Sequence, residues 1–459
     1  MDDRKTTMSA PNWSLLVEDF GPIKKAEVTL APLVLLVGKN NLGKSYLASL
    51  LWGLLNPFRI FGTETELGNG KEYSASAKLL RDLRQGDKRA IEQSDWKVIA
   101  DWINANLSDD AAMITRRILT CDDCRYAKAV LTPTEWPDDL KVEFRTVPRR
   151  NDGRRSAVVG RRLVRISRNV LQIFTEEGEQ ITEGQDSAIM RYLARHLLSG
   201  SAWGSPVYIP AARTGLMLAF KTLVASLLRT LERDDDSASR TTLAAPVVDF
   251  LQYLSDIMDF AGRNGSHFKI AEDLERDVLG GTITQGENEE LGYTPKDSSA
   301  RLPMHVVSSL VTELTPLVIL LKAGLQDQTI IFEEPEAHLH LSAQRMLARS
   351  LARLVNSGAQ VVITTHSDTL LQQVNILMYL HGHPRRDELA AELGYTADEL
   401  VDPRLANGYL FKDSDSGTIV REMTKTRQGF VEPVMNETIA ALTREVLRLE
   451  ETDVESGNG

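Results

Sequence analysis

Cysteine is nearly missing from this chain, with two in 459 residues. That is too few for a disulfide framework, so the pair is read as buried or free thiols in a reducing compartment. Long apolar runs are missing too. None approaches the ~18 to 20 residues a membrane helix needs, and the opening Met1-Asp2-Asp3-Arg4-Lys5 lacks the apolar core of a secretion signal. Together these absences predict a cytoplasmic protein without a membrane partner. The chain also lacks net positive charge: 53 Lys+Arg against 64 Asp+Glu leave −11, which argues against a protein that coats nucleic acid by bulk charge. Glycine (30) and proline (17) stay at ordinary globular levels, excluding a collagenous or wholly disordered chain.

What is present is a folded chain with 42% apolar residues, enough for about three domains or one large core with insertions. Its basic charge is local. Between Arg145 and Arg168 stand nine arginines and one aspartate, a stretch of +8 that leaves −19 for the rest. Residues 1–63 read as strands, a turn at Phe20-Gly21-Pro22, the buried-strand run Leu33-Val34-Leu35-Leu36-Val37, and a helix over 46–55. Residues 64–205 change to charged helical stretches and an alternating segment around the arginines, the pattern of an insertion. Residues 206–380 resume with a short strand at 206–210 and helices over 214–232 and 243–262. A hairpin follows within 278–307, then a helix over 309–324, a strand Thr329–Phe332, a helix over 342–356 and a strand Gln360–Thr364, which is a βαβ unit of parallel-sheet size. Residues 381–459 read as a small mixed region with a hairpin at 408–423 and a terminal helix over 434–450.

Gly38-Lys39-Asn40-Asn41-Leu42-Gly43-Lys44-Ser45 fits G-x-x-x-x-G-K-[ST] and lies directly after an apolar strand, opening a helix. The glycines let backbone N–H groups close around phosphates, with Asn40 and Asn41 in the same loop. Lys44 reaches the β/γ-phosphates, and the Ser45 hydroxyl ligates Mg2+. Thr329-Ile330-Ile331-Phe332-Glu333-Glu334-Pro335-Glu336 is an apolar strand ending in paired carboxylates, which need a counter-charge. A magnesium nucleotide supplies one: Glu333 holds Mg2+ directly or through water, and Glu334 takes a proton from the water attacking the γ-phosphate. Val361-Val362-Ile363-Thr364-Thr365-His366 places His366 beyond the next strand, at the same carboxyl edge, where ligands of parallel sheets bind.

On these residues the chain resembles ABC-type ATPases. Lys44-Ser45 matches Walker A, Glu333-Glu334-Pro335-Glu336-Ala337-His338-Leu339-His340 matches Walker B with its D-loop, and Thr364-Thr365-His366-Ser367 matches the switch histidine. It is most similar to the SMC/RecF-like group, which includes the overcoming-lysogenization-defect nucleases and the ATPases of Septu- and PARIS-type antiphage systems. Val17-Glu18-Asp19-Phe20-Gly21-Pro22-Ile23 and Tyr208-Ile209-Pro210-Ala211-Ala212-Arg213 extend the similarity to about half the chain. The resemblance implies an α/β P-loop NTPase head with a parallel-sheet core, an N-terminal antiparallel β element and a largely helical insertion. It implies ATP and Mg2+ as cofactors, and a homodimer or higher homo-oligomer in which a signature motif comes from the second subunit. Ser308-Ser309-Leu310 is the candidate for that motif. It departs from the usual glycine-rich form, and Pro316 is expected to kink or shorten the helix behind it. Glu333 stands where many such ATPases carry Asp, and no Q-loop glutamine is placed. Arg213 is read as a γ-phosphate or interface contact or, preferentially, as a structural salt bridge.

Other signals compete. His338-x-His340 beside three glutamates offers the donors of a transition-metal site, but its strand-acid-helix setting already has a nucleotide explanation. Cys121-Asp122-Asp123-Cys124 is half a zinc site. Asp413-Ser414-Asp415 has the Asp-x-Asp form of a Toprim nuclease but the composition of a turn. The Arg145–Arg168 segment fits nucleic acid, an acidic protein partner or simple solvation. The expectation is therefore an ATP-driven dimeric switch or sensor in antiphage defence, working with a separate nuclease or toxin. A RecF-like DNA-binding ATPase and a nucleotide-binding scaffold with negligible turnover are the alternatives.

Overall fold

The structure, a computed structural model, describes residues 13–61, 71–85, 88–137, 140–148, 164–167, 169–176, 183–200, 205–231, 243–257, 265–286, 290–324, 329–431 and 443–448. Nine strands form its main sheet: Trp13–Phe20 (β1), Ile23–Thr29 (β2), Leu33–Gly38 (β3), Lys128–Pro133 (β4), Val207–Ile209 (β5), Thr329–Glu333 (β6), Gln360–Thr365 (β7), Ala406–Lys412 (β8) and Thr418–Glu422 (β9). Their order across the sheet is β4-β1-β2-β9-β8-β3-β7-β6-β5. The five strands β8-β3-β7-β6-β5 are parallel. At the other end β1 is antiparallel to both β2 and β4, and β9 is antiparallel to β8. This is the P-loop NTPase head architecture, with a parallel core and an N-terminal antiparallel element.

The central strands are buried on both faces, and side-chain alternation divides them between two cores. Leu33, Leu35, Val37, Ile330, Phe332, Val361 and Ile363 point to one. Val34, Leu36, Ile331 and Val362 point to the other, as the period of two requires. Helices Arg213–Leu231 (α2), Ser309–Ala323 (α3), Leu341–Asn356 (α4) and Asp368–His381 (α5) cover the first face. The second is covered by Lys44–Leu54 (α1) and by helices Gln93–Asp109, Ala111–Leu119 and Glu183–Ser199. Each buried Leu, Ile or Val contributes about 1.5–3 kcal/mol relative to exposure, so both layers hold the sheet rigid where its strands end.

Residues 71–199 carry these helices, Lys71–Arg84, and a four-stranded sheet ordered Lys88–Ala90, Lys141–Val147, Val170–Glu176, Val164–Ser167. The same stretch supplies β4 to the main sheet, and the C-terminal stretch supplies β8 and β9. Most of the terminal helix read over 434–450 lies outside the described residues, although 443–448 are helical. Pro316 does not act as its propensity suggests: α3 runs through it for 15 residues. The proline removes one N–H from the ladder, and in the turn before it Arg213 Nε donates to the Glu313 carbonyl at 3.1 Å. Packing on both sides outweighs the local cost.

Cys121 and Cys124 are joined in a disulfide, a correction to the reading as thiols. The three-residue spacing in a turn brings their Cα atoms to 5.5 Å, within disulfide reach.

Candidate active site

Register places the chemistry. Val37 pairs with Thr365, Leu36 with Thr364, and Thr364 with Glu333. The chain therefore leaves the sheet at one carboxyl edge after Gly38, Glu333 and Thr365. Gly43 caps α1 at φ 91 with no side-chain hydrogen bond, leaving the first-turn N–H groups to face an anion. A Cβ at Gly43 would sit 2.7 Å from Ile23 Cγ1, so the loop needs glycine there for space as well as conformation.

A cavity of about 540 Å3 opens at this edge, lined by Pro22, Asn40, Asn41, Gly43, Lys44, Ser45, Tyr46 and Glu334. Lys44 Nζ donates to the Gly38 and Lys39 carbonyls, each at 2.8 Å. Burial pushes its ammonium below the ordinary lysine value, against the pull of Glu334, Glu336 and Glu333. Glu334 closes the opposite side. Its backbone is left-handed, φ 40, a conformation costing an acidic side chain about 1–3 kcal/mol and found where surroundings enforce it. Here the Glu334 N–H is held by the Thr364 carbonyl at 2.9 Å and the Thr364 hydroxyl at 3.1 Å.

His366 Nδ1 lies 3.8 Å from Glu334 Oε1 and 3.4 Å from Glu336 Oε1. Glu336 is buried and accepts from the Thr365 hydroxyl at 2.7 Å and the His366 N–H at 2.9 Å. Glu333, also buried, accepts from the Ala211 N–H at 3.2 Å. Glu333 Oε1 and Glu336 Oε2 remain buried with no hydrogen-bond partner among the described residues. Unpaired buried carboxylate oxygens at the edge carrying the P-loop suit a hard cation. Ser45 and Glu333 fit as Mg2+ holders on that chemistry, although Glu333 does not line the cavity. No cluster of three or more His, Cys, Asp or Glu able to hold a metal alone occurs among the described residues.

The structure thus brings Gly38, Asn40, Asn41, Gly43, Lys44, Ser45, Glu333, Glu334 and His366 to one edge. Ser308 and Ser309 are exposed at the start of α3 and do not line the cavity. Arg213 is wholly buried and structural. It ion-pairs with Glu313 at 2.7 Å and donates to the carbonyls of Glu333 at 2.9 Å and Glu334 at 3.0 Å. It thereby ties the Walker B end to α3. His340 caps α4 through Ser342, His338 Nε2 lies 3.8 Å from Glu313, and Asp413 and Asp415 are exposed in a turn closed by Ser414 and Gly417. Most of the Arg145–Arg168 segment lies outside the described residues. Of its described arginines, Arg145 pairs with Glu143 and Arg165 lies over Phe174.

Sequence reasoning assigned no site role to Glu336, Tyr46, Pro22 or Tyr208. Burial, and secondarily the Glu333 charge, raises the Tyr208 phenol well above its ordinary value. Only Glu336 had a visible signal, as the third acid of Glu-Glu-Pro-Glu. Tyr46 and Tyr208 lie in apolar patterns that core residues share, and Pro22 lies in a turn whose approach to the P-loop is a tertiary contact.

The parallel-core α/β sheet and the glycine-rich loop at its carboxyl edge together define a P-loop NTPase fold. Residues 224–371 match the family model described as an AAA ATPase domain. That span holds Ser308, Glu333, Glu334 and His366, while the P-loop precedes it. Comparison with curated proteins gives no match. Similar solved structures include the Smc head bound to the C-winged helix domain of ScpA (13% identity, 90% of this chain, 97% of that chain, TM-score 0.37). The Smc head with an extended coiled coil bound to the C-terminal domain of ScpA, from Pyrococcus furiosus, is another (14%, 94%, 98%, 0.35). The SMC head domain from Thermotoga maritima is a third (10%, 90%, 98%, 0.34). Among the described residues no helix is long and apolar enough to cross a membrane.

Proposed function

We propose that this chain binds and hydrolyses Mg-ATP, and that two copies close around the nucleotide to act as a switch. The observation that carries the reading is the cavity in which the P-loop wall, Lys44 and Ser45 face Glu334. In this reading Lys44 exchanges the Gly38 and Lys39 carbonyls for phosphate oxygens, and the α1 N–H groups hold the remaining charge. Glu334, its direction set by the Thr364 clamp, accepts the proton of the attacking water. His366 orients that water and senses the γ-phosphate from beside Glu334. Bound Mg2+, held by Ser45 and Glu333, supplies neutralisation of phosphate charge.

Support for a second copy comes from Ser308 and Ser309, exposed at the cap and first residue of α3 and outside the cavity in their own chain. A helix start of this kind can face a γ-phosphate across a dimer. The output is then closure on binding and opening on hydrolysis. The antiphage setting with a separate nuclease or toxin rests on the resemblance of the motifs alone.

Phosphate release and nucleotide binding test the reading. The full chain is expected to hydrolyse ATP with Mg2+, to stop when EDTA removes the metal, and to lose binding in Lys44→Ala. Absence of nucleotide binding by the unaltered chain in magnesium sinks it. Salt-dependent DNA binding lost on replacing Arg154, Arg155, Arg161 and Arg162 would instead favour the DNA-binding alternative.

A further inference from the structure

We propose that Cys121 and Cys124 form a reversible thiol–disulfide exchange site whose redox state sets nucleotide affinity through Tyr46. The proposal rests on the reading of the cavity as a nucleotide site. Thr120, left-handed at φ 55, ends helix Ala111–Leu119 and turns the chain into Cys121. Both cysteines are half-buried and their neighbours Asp122, Asp123 and Arg125 are exposed, so a small disulfide or dithiol can reach the sulfurs.

The disulfide meets the site through one side chain. Tyr46 follows Ser45 and lines the cavity, and its hydroxyl points at Cys124 Sγ from 3.9 Å. The Tyr46 ring also packs against Phe20 and the Gly21 backbone. Phe20 lies edge-on at 5.4 Å, and a Cβ on Gly21 would meet the ring at 2.7 Å. The same loop grips the other partner of this pair, because Tyr126 packs edge-on to Phe20 at 6.0 Å and anchors its hydroxyl on the Leu107 carbonyl at 2.9 Å. The segment 121–126 therefore clasps Phe20 and Tyr46 together, and the turn they brace carries Pro22, another wall of the cavity. With the disulfide closed, Cys124 is a fixed stop for Tyr46. With it open, the stop can move, and nucleotide binding must order the wall at its own expense.

The exchange balances with a small disulfide such as glutathione disulfide. One cysteine thiolate attacks a glutathione sulfur, forming a mixed disulfide and expelling one glutathione thiolate. The second cysteine thiolate attacks the protein sulfur, forming the Cys121–Cys124 bond and expelling the other. The two protons lost by the cysteines go to the two departing thiolates, and two electrons reduce the glutathione.

The full chain is equilibrated with glutathione disulfide or with dithiothreitol. Free thiols are then titrated, and Mg-ATP affinity is measured in each state. Two thiols are expected after reduction and none after oxidation, with the oxidised protein binding Mg-ATP roughly fivefold more tightly. By linkage, saturating Mg-ATP then lowers the reduction potential by about 20 mV, the two-electron equivalent of fivefold. The Cys121→Ser/Cys124→Ser variant is expected to bind at the weaker affinity under both conditions. If that variant does not fold, reduced and alkylated wild-type chain takes its place. Equal affinities in the two states overturn the coupling, as does failure of the thiols to titrate reversibly. Absence of Mg-ATP binding in both states overturns the coupling together with the cavity reading.

Discussion

Glu334→Gln isolates the proposed base. The substitution keeps the length and shape of the side chain, and the Thr364 clamp acts on the backbone, so φ 40 and the cavity wall persist. What it removes is a proton acceptor. General-base catalysis is worth about 10^2 to 10^4 in rate, or roughly 2.7–5.5 kcal/mol of barrier. His366 Nδ1, 3.8 Å from the altered position, still orients water, so the loss is expected to stay within that window. Binding is expected to hold or improve, since one negative charge leaves the phosphate wall. A second effect has a fixed sign. Glu334 is the strongest of the charges that raise the Lys44 pKa against burial, so its neutralisation lowers that pKa further. The lysine is useful protonated, so the alkaline fall in nucleotide affinity moves to lower pH. The assay is phosphate release at saturating Mg-ATP, with affinity measured in parallel across pH. Turnover within threefold of wild type at unchanged affinity would refute Glu334 as the base and support a scaffold with negligible catalysis of its own.

Three further outcomes follow from the packing. Arg213→Met leaves the buried Glu313 carboxylate uncompensated and is expected to cost about 3–5 kcal/mol in urea unfolding, partly recovered by adding Glu313→Gln; a loss below about 1 kcal/mol contradicts the structural role. Burial alone would raise the Asp273 pKa, but hydrogen bonds from Arg353, Lys269 and Arg276 outweigh it and hold the carboxyl at about 2. This depressed group stabilises the fold above its unfolded pKa near 4, and the benefit fades as pH falls towards 2. The stability gap between wild type and Asp273→Asn, about 1 kcal/mol at pH 7 once solvent screening of the exposed partners is allowed for, should therefore narrow between pH 5 and 2 in a denaturation series. Gly43→Ala forces a Cβ against Ile23 in a left-handed turn and is expected to weaken Mg-ATP binding roughly tenfold or more, with the circular dichroism of the folded chain retained.

The parallel core was legible because buried parallel strands read as unbroken apolar runs, and because Gly-rich and paired-acid endings mark where such strands stop. Lys44 and Ser45 were marked by the P-loop spacing, Glu333 and Glu334 by the paired acids at the end of β6, and His366 by its place directly after β7. Propensity misjudged Pro316, where packing kept the helix whole. It also missed the disulfide, which depends on a turn closing Cys121 onto Cys124.

Local pattern determines which residues end each strand, because a period of two or 3.6 and a glycine or acid at its end are properties of neighbours in the chain. It cannot determine which strands lie side by side. The pairing of Leu36, Thr364 and Glu333 across three strands, the burial of Arg213 under Walker B, and the approach of Cys124 to Tyr46 join residues from about 30 to more than 300 positions apart. Such contacts follow from how two layers of helices close on the sheet and bury its faces together, so only the tertiary structure decided them.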